Sequence, residues 1–195
     1  EFRRAQGIDG PLYVGRDTHA LSEPAQRTVV EVLVAAGIQV RVDARDSSTP
    51  TPAVSHSILL HNGAATADGV RTAGPGIADG IVITPSHNPP TDGGIKYNGT
   101  DGGPAGGDVT GWIARRANEL VRAGLASIER IPYERAITHE LVSRHDYMST
   151  YVDDLDSIID LEAIRAAGVR IAADTLGGAA VDYWAEIGER YGLDL

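Results

Sequence analysis

The sequence contains no cysteine, so neither a disulfide framework nor a thiolate metal site is available to it. No uncharged apolar run approaches the ~20 residues that a membrane-spanning helix needs. The opening stretch EFRRAQGIDG has no signal-peptide h-region either. The resulting expectation is a soluble cytoplasmic protein with no membrane partner. Basic residues are also scarce: 17 Lys and Arg face 27 Asp and Glu, for a net charge of −10. A protein that grips a phosphate backbone usually carries a basic stripe, so no nucleic-acid partner is expected. A small anionic substrate would have to be held locally, against the overall field, by helix N-termini, backbone N–H groups and a few cations. Lysine in particular is almost absent. Sixteen of the seventeen basic residues are arginine, and the exception is Lys96.

What is present is the composition of a folded chain. With 42% hydrophobic residues over 195 positions, it can fill one good core, or one domain and part of another. Leu12 to Val14 reads as a short strand running into the turn Gly15-Arg16-Asp17. Ser22 follows as an expected N-cap, opening a buried helix to Ala36 that Gly37 stops. Ile38 to Val42 returns as a strand. A second helix opens at Thr49-Pro50-Thr51-Pro52 and runs to about Leu60, ended by Asn62-Gly63. Gly80 to Thr84 (GIVIT) is a continuous apolar run between turn residues, the pattern of a central strand buried on both faces. A short strand at Gly94 to Asn98 comes next. Asp108 to Arg122 is helical, with Val109, Trp112, Ile113 and Leu120 on one face. Residues 129–145 show no clear period and read as a connection. A helix from Asp146 to Ala167, broken near Asp160, precedes a strand at Val169 to Ala173 and a last helix to about Tyr191.

Strands alternating with helices give an α/β fold. The lone strand and helix of 168–195 cannot bury their own apolar face. That tail is expected to be the start of a second α/β domain, cut off, and the chain a fragment whose N-terminus is incomplete. The expected divisions are a serine-bearing domain over 1–130, a connecting segment and helix over 131–167, and the truncated domain over 168–195.

The chemistry concentrates in TPSHNPPTDGGIKYNG, residues 84–99. A serine just past a buried strand sits where α/β sheets present reactive groups. Glycines nearby let backbone N–H groups approach a phosphate closely. Lys96 offers a compact charge and can exchange a proton, which arginine hardly does. These residues carry a resemblance. Thr84-Pro85-Ser86-His87-Asn88-Pro89, Gly93-Gly94-Ile95-Lys96-Tyr97-Asn98 and Gly102-Gly103-Pro104-Ala105 resemble the α-D-phosphohexomutases, in the version of the bacterial enzymes that act on α-D-glucose phosphates. Gly15-Arg16-Asp17 and Asp174…Gly177-Gly178 are in keeping with it.

The resemblance implies a three-layer α/β/α domain with a mixed sheet, plus the start of a second α/β domain. It implies that Ser86 bears a phosphoryl group, gives it to one sugar hydroxyl and is regenerated from another phosphorylated position. The reaction would interconvert glucose 1-phosphate and glucose 6-phosphate, with glucose 1,6-bisphosphate as intermediate and activator. The phosphorylated Ser86 would be a ligand of Mg²⁺. Lys96 would lie at the reacting oxygens as charge and proton partner, and His87 beside the phosphate for positioning or proton transfer. Phosphoryl transfer rests mostly on positioning and charge neutralisation, which those parts suit. Sugar phosphates and the remaining domains of the same polypeptide are the implied partners.

Departures are equally plain. The family's N-terminal glycine- and arginine-containing motif and its Asp-x-Asp-x-Asp metal motif do not occur, nor does the Gly-x-Ser-x-Gly elbow of hydrolases. Relatives acting on mannose or glucosamine phosphates remain the enzymatic alternative, and a non-catalytic phosphate- or partner-binding module the other. The alternative for His87 is a hydrogen bond within its own loop. Arg16 and Asp17 are expected to brace their turn, and His19 to belong to turn architecture. His56 and His61, five apart, do not share a helix face as two metal ligands would. Asp153, Asp154, Asp156 and Asp160 interleave with Val152, Leu155, Ile158 and Ile159 and read as a solvated acidic face.

Overall fold

The computed structural model describes residues 1–65 and 71–195. In chain order it contains α1 (Phe2–Gln6), β1 (Leu12–Arg16), α2 (Ser22–Ala35), β2 (Val40–Asp43) and α3 (Thr51–His61). There follow β3 (Asn62–Ala65), β4 (Arg71–Ala73), β5 (Asp79–Ile83), β6 (Ile95–Asn98) and α4 (Gly107–Arg122). The last elements are α5 (Tyr133–Ala136), β7 (Val142–His145), α6 (Tyr147–Val152), α7 (Leu161–Ala166) and α8 (Val181–Tyr191).

Five strands form one sheet in the order β6-β5-β1-β2-β7. β1 pairs in parallel with β2 and β5, β2 in parallel with β7, and β6 runs antiparallel to β5. The period of two along each strand divides its side chains between the faces. Tyr13 and Val82 pack with Val54 and Ile58 of α3, Tyr147 and Val152 of α6, and Tyr183 of α8. Leu12, Val14, Val40, Val42 and Ile83 pack with Val30 and Val34 of α2 and Ala136 of α5. Each fully buried valine or leucine contributes about 1.5–3 kcal/mol, so these two clusters hold the three layers together. The α/β/α architecture with a mixed sheet is as expected. The GIVIT strand, β5, is paired on both sides, and β6 lies at the edge beside it.

Five local readings are corrected. Ser22 is the first residue of α2 and not its cap, since its hydroxyl donates to Asp17 Oδ1 at 2.5 Å. Leu21 holds the cap position, and among the described residues no side chain accepts from the first-turn N–H groups of α2. Residues 129–145 are not a featureless connection, because they contain α5 and the edge strand β7. That strand is held by the backbone ladder to β2, and only Val142 of its four residues is apolar, so it leaves little hydrophobic period. The helix expected from Asp146 stops at Val152, and a 3₁₀ turn at Leu155–Ser157 separates it from α7. Val169 to Ala173 forms no strand, only a bridge between Arg170 and Asp194. No neighbouring strand among the described residues offers it a ladder. The acidic stretch is not simply solvated: Asp154 accepts from His56 Nε2 at 2.7 Å, Asp153 pairs with Arg190, and Asp160 caps α7 through the Ala163 N–H.

Candidate functional site

From β1 the chain steps through α2 to β2, then crosses by α3 on the opposite face to β5, on the other side of β1. The loops leaving β1 and β5 therefore diverge at the carboxyl ends of the strands. This is the switch point at which α/β sheets open a crevice for ligands. A cleft of about 360 Å³ lies there, walled by 17–19 after β1, Thr84, Pro85, Ser86, Asn88 and Pro90 after β5, Thr49 and Thr51 at the start of α3, and 176–179 before α8.

Local hydrogen bonds shape the wall that carries Ser86. The Thr84 N–H donates to the Gly94 carbonyl at 2.9 Å and closes the neck of the loop. A Cβ at Gly94 would collide with the Thr84 carbonyl, so glycine is required at this close approach. Inside the loop the Ser86 N–H donates to Thr84 Oγ1 at 2.9 Å, and the Asn88 N–H to the Pro85 carbonyl at 3.2 Å. This turn holds Ser86 at φ 62°, a left-handed conformation that costs a non-glycine residue about 1–2 kcal/mol. Ser86 is exposed and lines the cleft.

The opposite loop is latched to it. The Leu21 N–H donates to His19 Nδ1 at 3.1 Å, so Nε2 carries the proton and donates to the Pro90 carbonyl at 2.7 Å. The Asp17 N–H donates to the Ile83 carbonyl at 3.0 Å, and Asp17 Oδ1 accepts from the His19 N–H at 3.0 Å. Arg16 Nη2 donates to the Asp46 carbonyl at 2.7 Å. Arg16 and Asp17 thus brace the turn, while His19 does more than serve its own turn, since it ties the two loops together. The far wall is fastened by Thr18 Oγ1 donating to the Gly177 carbonyl at 2.7 Å and Ser48 Oγ to the Ala179 carbonyl at 3.3 Å.

Of the three residues singled out from the sequence, Ser86 lies in the cleft. His87 is exposed in the same turn but does not line it. Lys96 sits on β6 in register with Val82, half-buried, and does not line the cleft either. Among the described residues it forms no ion pair. Its strand is anchored by buried Asp79, which accepts from Tyr97 Oη at 2.8 Å and from Arg3 Nε at 2.9 Å. That carboxylate and the surrounding burial push the Tyr97 phenol well above its ordinary range, burial being the larger cause.

Sequence reasoning missed Thr49, Thr51 and Thr18 as cleft residues. Thr49 is 1% exposed, and among the described residues its Oγ1 has no partner. The signal was present in the Thr-Pro-Thr-Pro helix start, read only as an initiation motif. Among the described residues no Lys or Arg lines the cleft, and Asp17 is its one carboxylate. No group of three or more His, Asp or Glu among them could hold a metal ion. No helix among them is long and apolar enough to cross a membrane.

Comparison with known proteins follows the same lines. The family described as phosphoglucomutase/phosphomannomutase, alpha/beta/alpha domain I, matches residues 1–122. A phosphoglucomutase of Komagataeibacter xylinus is 47% identical over 194 residues, covering 100% of this chain and 34% of its own length. A phosphoglucosamine mutase of a Synechococcus strain (CC9902) is 27% identical over 193 residues, 98% of this chain and 36% of its own. The crystal structure of parafusin from Paramecium, in its open form, superposes with a TM-score of 0.69 at 23% identity, over 98% of this chain and 36% of that one. The last likeness concerns the fold alone. The chain spans about a third of the length of the curated relatives it matches.

Proposed function

The chain belongs to the phosphoglucomutase/phosphomannomutase family, and from that premise we propose that it is the serine-bearing part of a phosphoglucomutase. The observation that carries this reading is Ser86, exposed in the switch-point cleft at the end of β5. In the reaction proposed, a sugar hydroxyl oxygen attacks the phosphorus on Ser86. The P–O bond to the sugar forms, the P–O bond to Ser86 Oγ breaks, and the hydroxyl proton ends on Oγ. Reversal from the other phosphorylated position of glucose 1,6-bisphosphate restores the phosphoserine and releases the isomer. Glucose 1-phosphate and glucose 6-phosphate are the proposed pair, supported by the 47% identical relative. Mannose and glucosamine phosphates are the alternative, the latter favoured by the phosphoglucosamine mutase likeness.

Lys96 is proposed as charge and proton partner at the reacting oxygens, and His87 as a positioning group beside the phosphate. A cytoplasmic setting belongs to the same reading. Mg²⁺, which the family implies, is not accommodated by the described residues on their own, for they offer no metal-binding cluster. Phosphorylated Ser86 is their one proposed ligand to it, and no step here runs through the ion. The serine-bearing domain extends in this reading through α6, because β7 and α6 belong to its sheet and core. The tail from 168 is the start of a second α/β domain.

The test is intact-mass and phosphopeptide analysis after incubation with glucose 1,6-bisphosphate. One phosphate on the peptide containing Ser86 is expected. A phosphate found reproducibly on a different serine overturns the assignment.

A further inference from the structure

We propose that the start of α3, with Thr49 and Thr51, is the seat that receives the phosphoryl group of Ser86. This rests on the phosphoserine reading above and names the groups that would hold it. A phosphoserine brings roughly −1.5 to −2 charges at neutral pH. In this cleft it meets no lining Lys or Arg and one carboxylate, Asp17, on a chain already at −10. Its counterpart must come from aligned dipoles and neutral donors.

Most donors of the cleft are already taken. His19 Nε2–H goes to the Pro90 carbonyl and Thr18 Oγ1–H to the Gly177 carbonyl. The Ser86 N–H goes to Thr84 Oγ1. Asn88 is left at the exposed rim. The start of α3 is different. This helix is 11 residues long, and an α-helix N-terminus carries roughly half a positive charge. Its cap is Pro50 and its second residue Pro52, neither with an N–H, and the N–H groups of Ala53 and Val54 both turn to the Pro50 carbonyl. The Thr51 N–H is the open donor at this end, and among the described residues it has no acceptor.

Thr49 supplies the independent sign of a ligand. It is 1% exposed, lines the cleft, and among the described residues its Oγ1 has no partner. Its methyl faces β1, where a Cβ on Gly15 would stand 3.5 Å from it. Its N–H is used, donating to the Arg16 carbonyl at 2.7 Å. A buried hydroxyl without a partner forfeits its hydrogen bonds to water, and native structures seldom tolerate that unless something else completes the bond. An anion in the mouth of α3 completes it. The proposed seat then has three donors to offer: Thr49 Oγ1–H, Thr51 Oγ1–H and Thr51 N–H.

The probe is inorganic phosphate, titrated into the unphosphorylated 195-residue chain while amide resonances are followed. The Thr51 amide is expected to shift and saturate. Thr49→Val, which keeps the shape and removes the hydroxyl, should weaken phosphate binding by about 10-fold, and Thr49→Ser by less than about 3-fold. Because the hydroxyl is unpartnered in the unliganded chain, Thr49→Val should not lower the urea midpoint. A Thr51 amide that stays still while Ser86 accepts phosphate from the bisphosphate overturns this inference and leaves the function standing. Phosphate bound at Thr51 on a chain whose Ser86 never becomes phosphorylated overturns the phosphoserine reading and with it the assignment of this seat to the Ser86 phosphoryl group. Unchanged phosphate affinity in Thr49→Val, or a lowered midpoint, also overturns it.

Discussion

Ser86 is held in a backbone conformation that opposes its chirality, in a cleft most of whose donors are engaged with the protein itself. Such strain is kept where the surroundings over-determine it, and here the Thr84 hydroxyl and the Pro85–Asn88 turn do so. Lys96 is the second unusual residue. It is half-buried on an edge strand and, among the described residues, no carboxylate pairs with it. The lack of such an ion pair among them agrees with the role proposed above as charge and proton partner. In the full-length polypeptide, Lys96→Met should lower turnover by ~10²-fold or more, the scale of one acid–base group. Lys96→Arg should restore little, since guanidinium keeps the charge but does not release a proton. Near-normal steady-state rates in both variants would take Lys96 out of the reaction. The dense motif singles out Ser86, His87 and Lys96 in the sequence, and of the three the structure brings Ser86 to the cleft. Thr49 was not legible there, because a hydroxyl's lack of a partner exists only after β1, α3 and the loop have met.

At the level of elements, runs of apolar residues announced β1, β2 and β5, and glycines marked where α2 stops. β7 escaped notice for a physical reason: an edge strand can be held by its backbone ladder with only one apolar residue in four. Its last residue, His145, faces the core. The ring lies 4.7 Å from that of Tyr147 and 5.2 Å from that of Tyr13, and Nε2 is 3.0 Å from Ser57 Oγ. Burial, and secondarily the Arg41 charge, push its pKa down to about 4. In the unfolded chain it returns to an ordinary value near 6.5. The unfolded state therefore binds the extra proton first, and the contribution to stability is complete above about pH 6.5 and lost as pH falls toward 4. At pH 5 the loss should be on the order of 1–2 kcal/mol. Asp43 and Asp79, whose pKa values burial raises, act in the opposite sense as they protonate. Urea midpoints at pH 7.5 and 5.0 separate the effects, since His145→Gln should flatten the slope between them. Equal slopes in the variant and the parent chain would show that His145 is not the source.

For the whole molecule, the alternation of strands and helices predicted the α/β class and the family resemblance the three layers and the mixed sheet, while the tail depended on a partner that the pattern could not supply. Val169 to Ala173 has the composition of a strand but no neighbour to ladder with, so it remains extended beside Asp194, and Val169 is 53% exposed. The tail is anchored further on, at α8 through Tyr183 and through Tyr191 Oη donating to the Val152 carbonyl, and ahead of it by Thr18 and Ser48 donating to the Gly177 and Ala179 carbonyls. The segment ahead of α8 nonetheless closes one wall of the cleft at 176–179. The parts assembled there are a serine, a helix start and neutral donors, without a lining cation or a metal-binding cluster among the described residues. A transferring phosphoryl group needs its charge neutralised and its acceptor positioned, and positioning alone supplies about 7 kcal/mol or more of a barrier. The 195-residue chain by itself should therefore run at least ~10⁴-fold below a complete mutase, about 5.5 kcal/mol in the barrier. A coupled assay of glucose 6-phosphate formed from glucose 1-phosphate, with Mg²⁺ and glucose 1,6-bisphosphate present, measures this directly. Turnover near about one per second, an ordinary enzymatic rate, would mean that the cleft walls described here already contain everything the reaction requires.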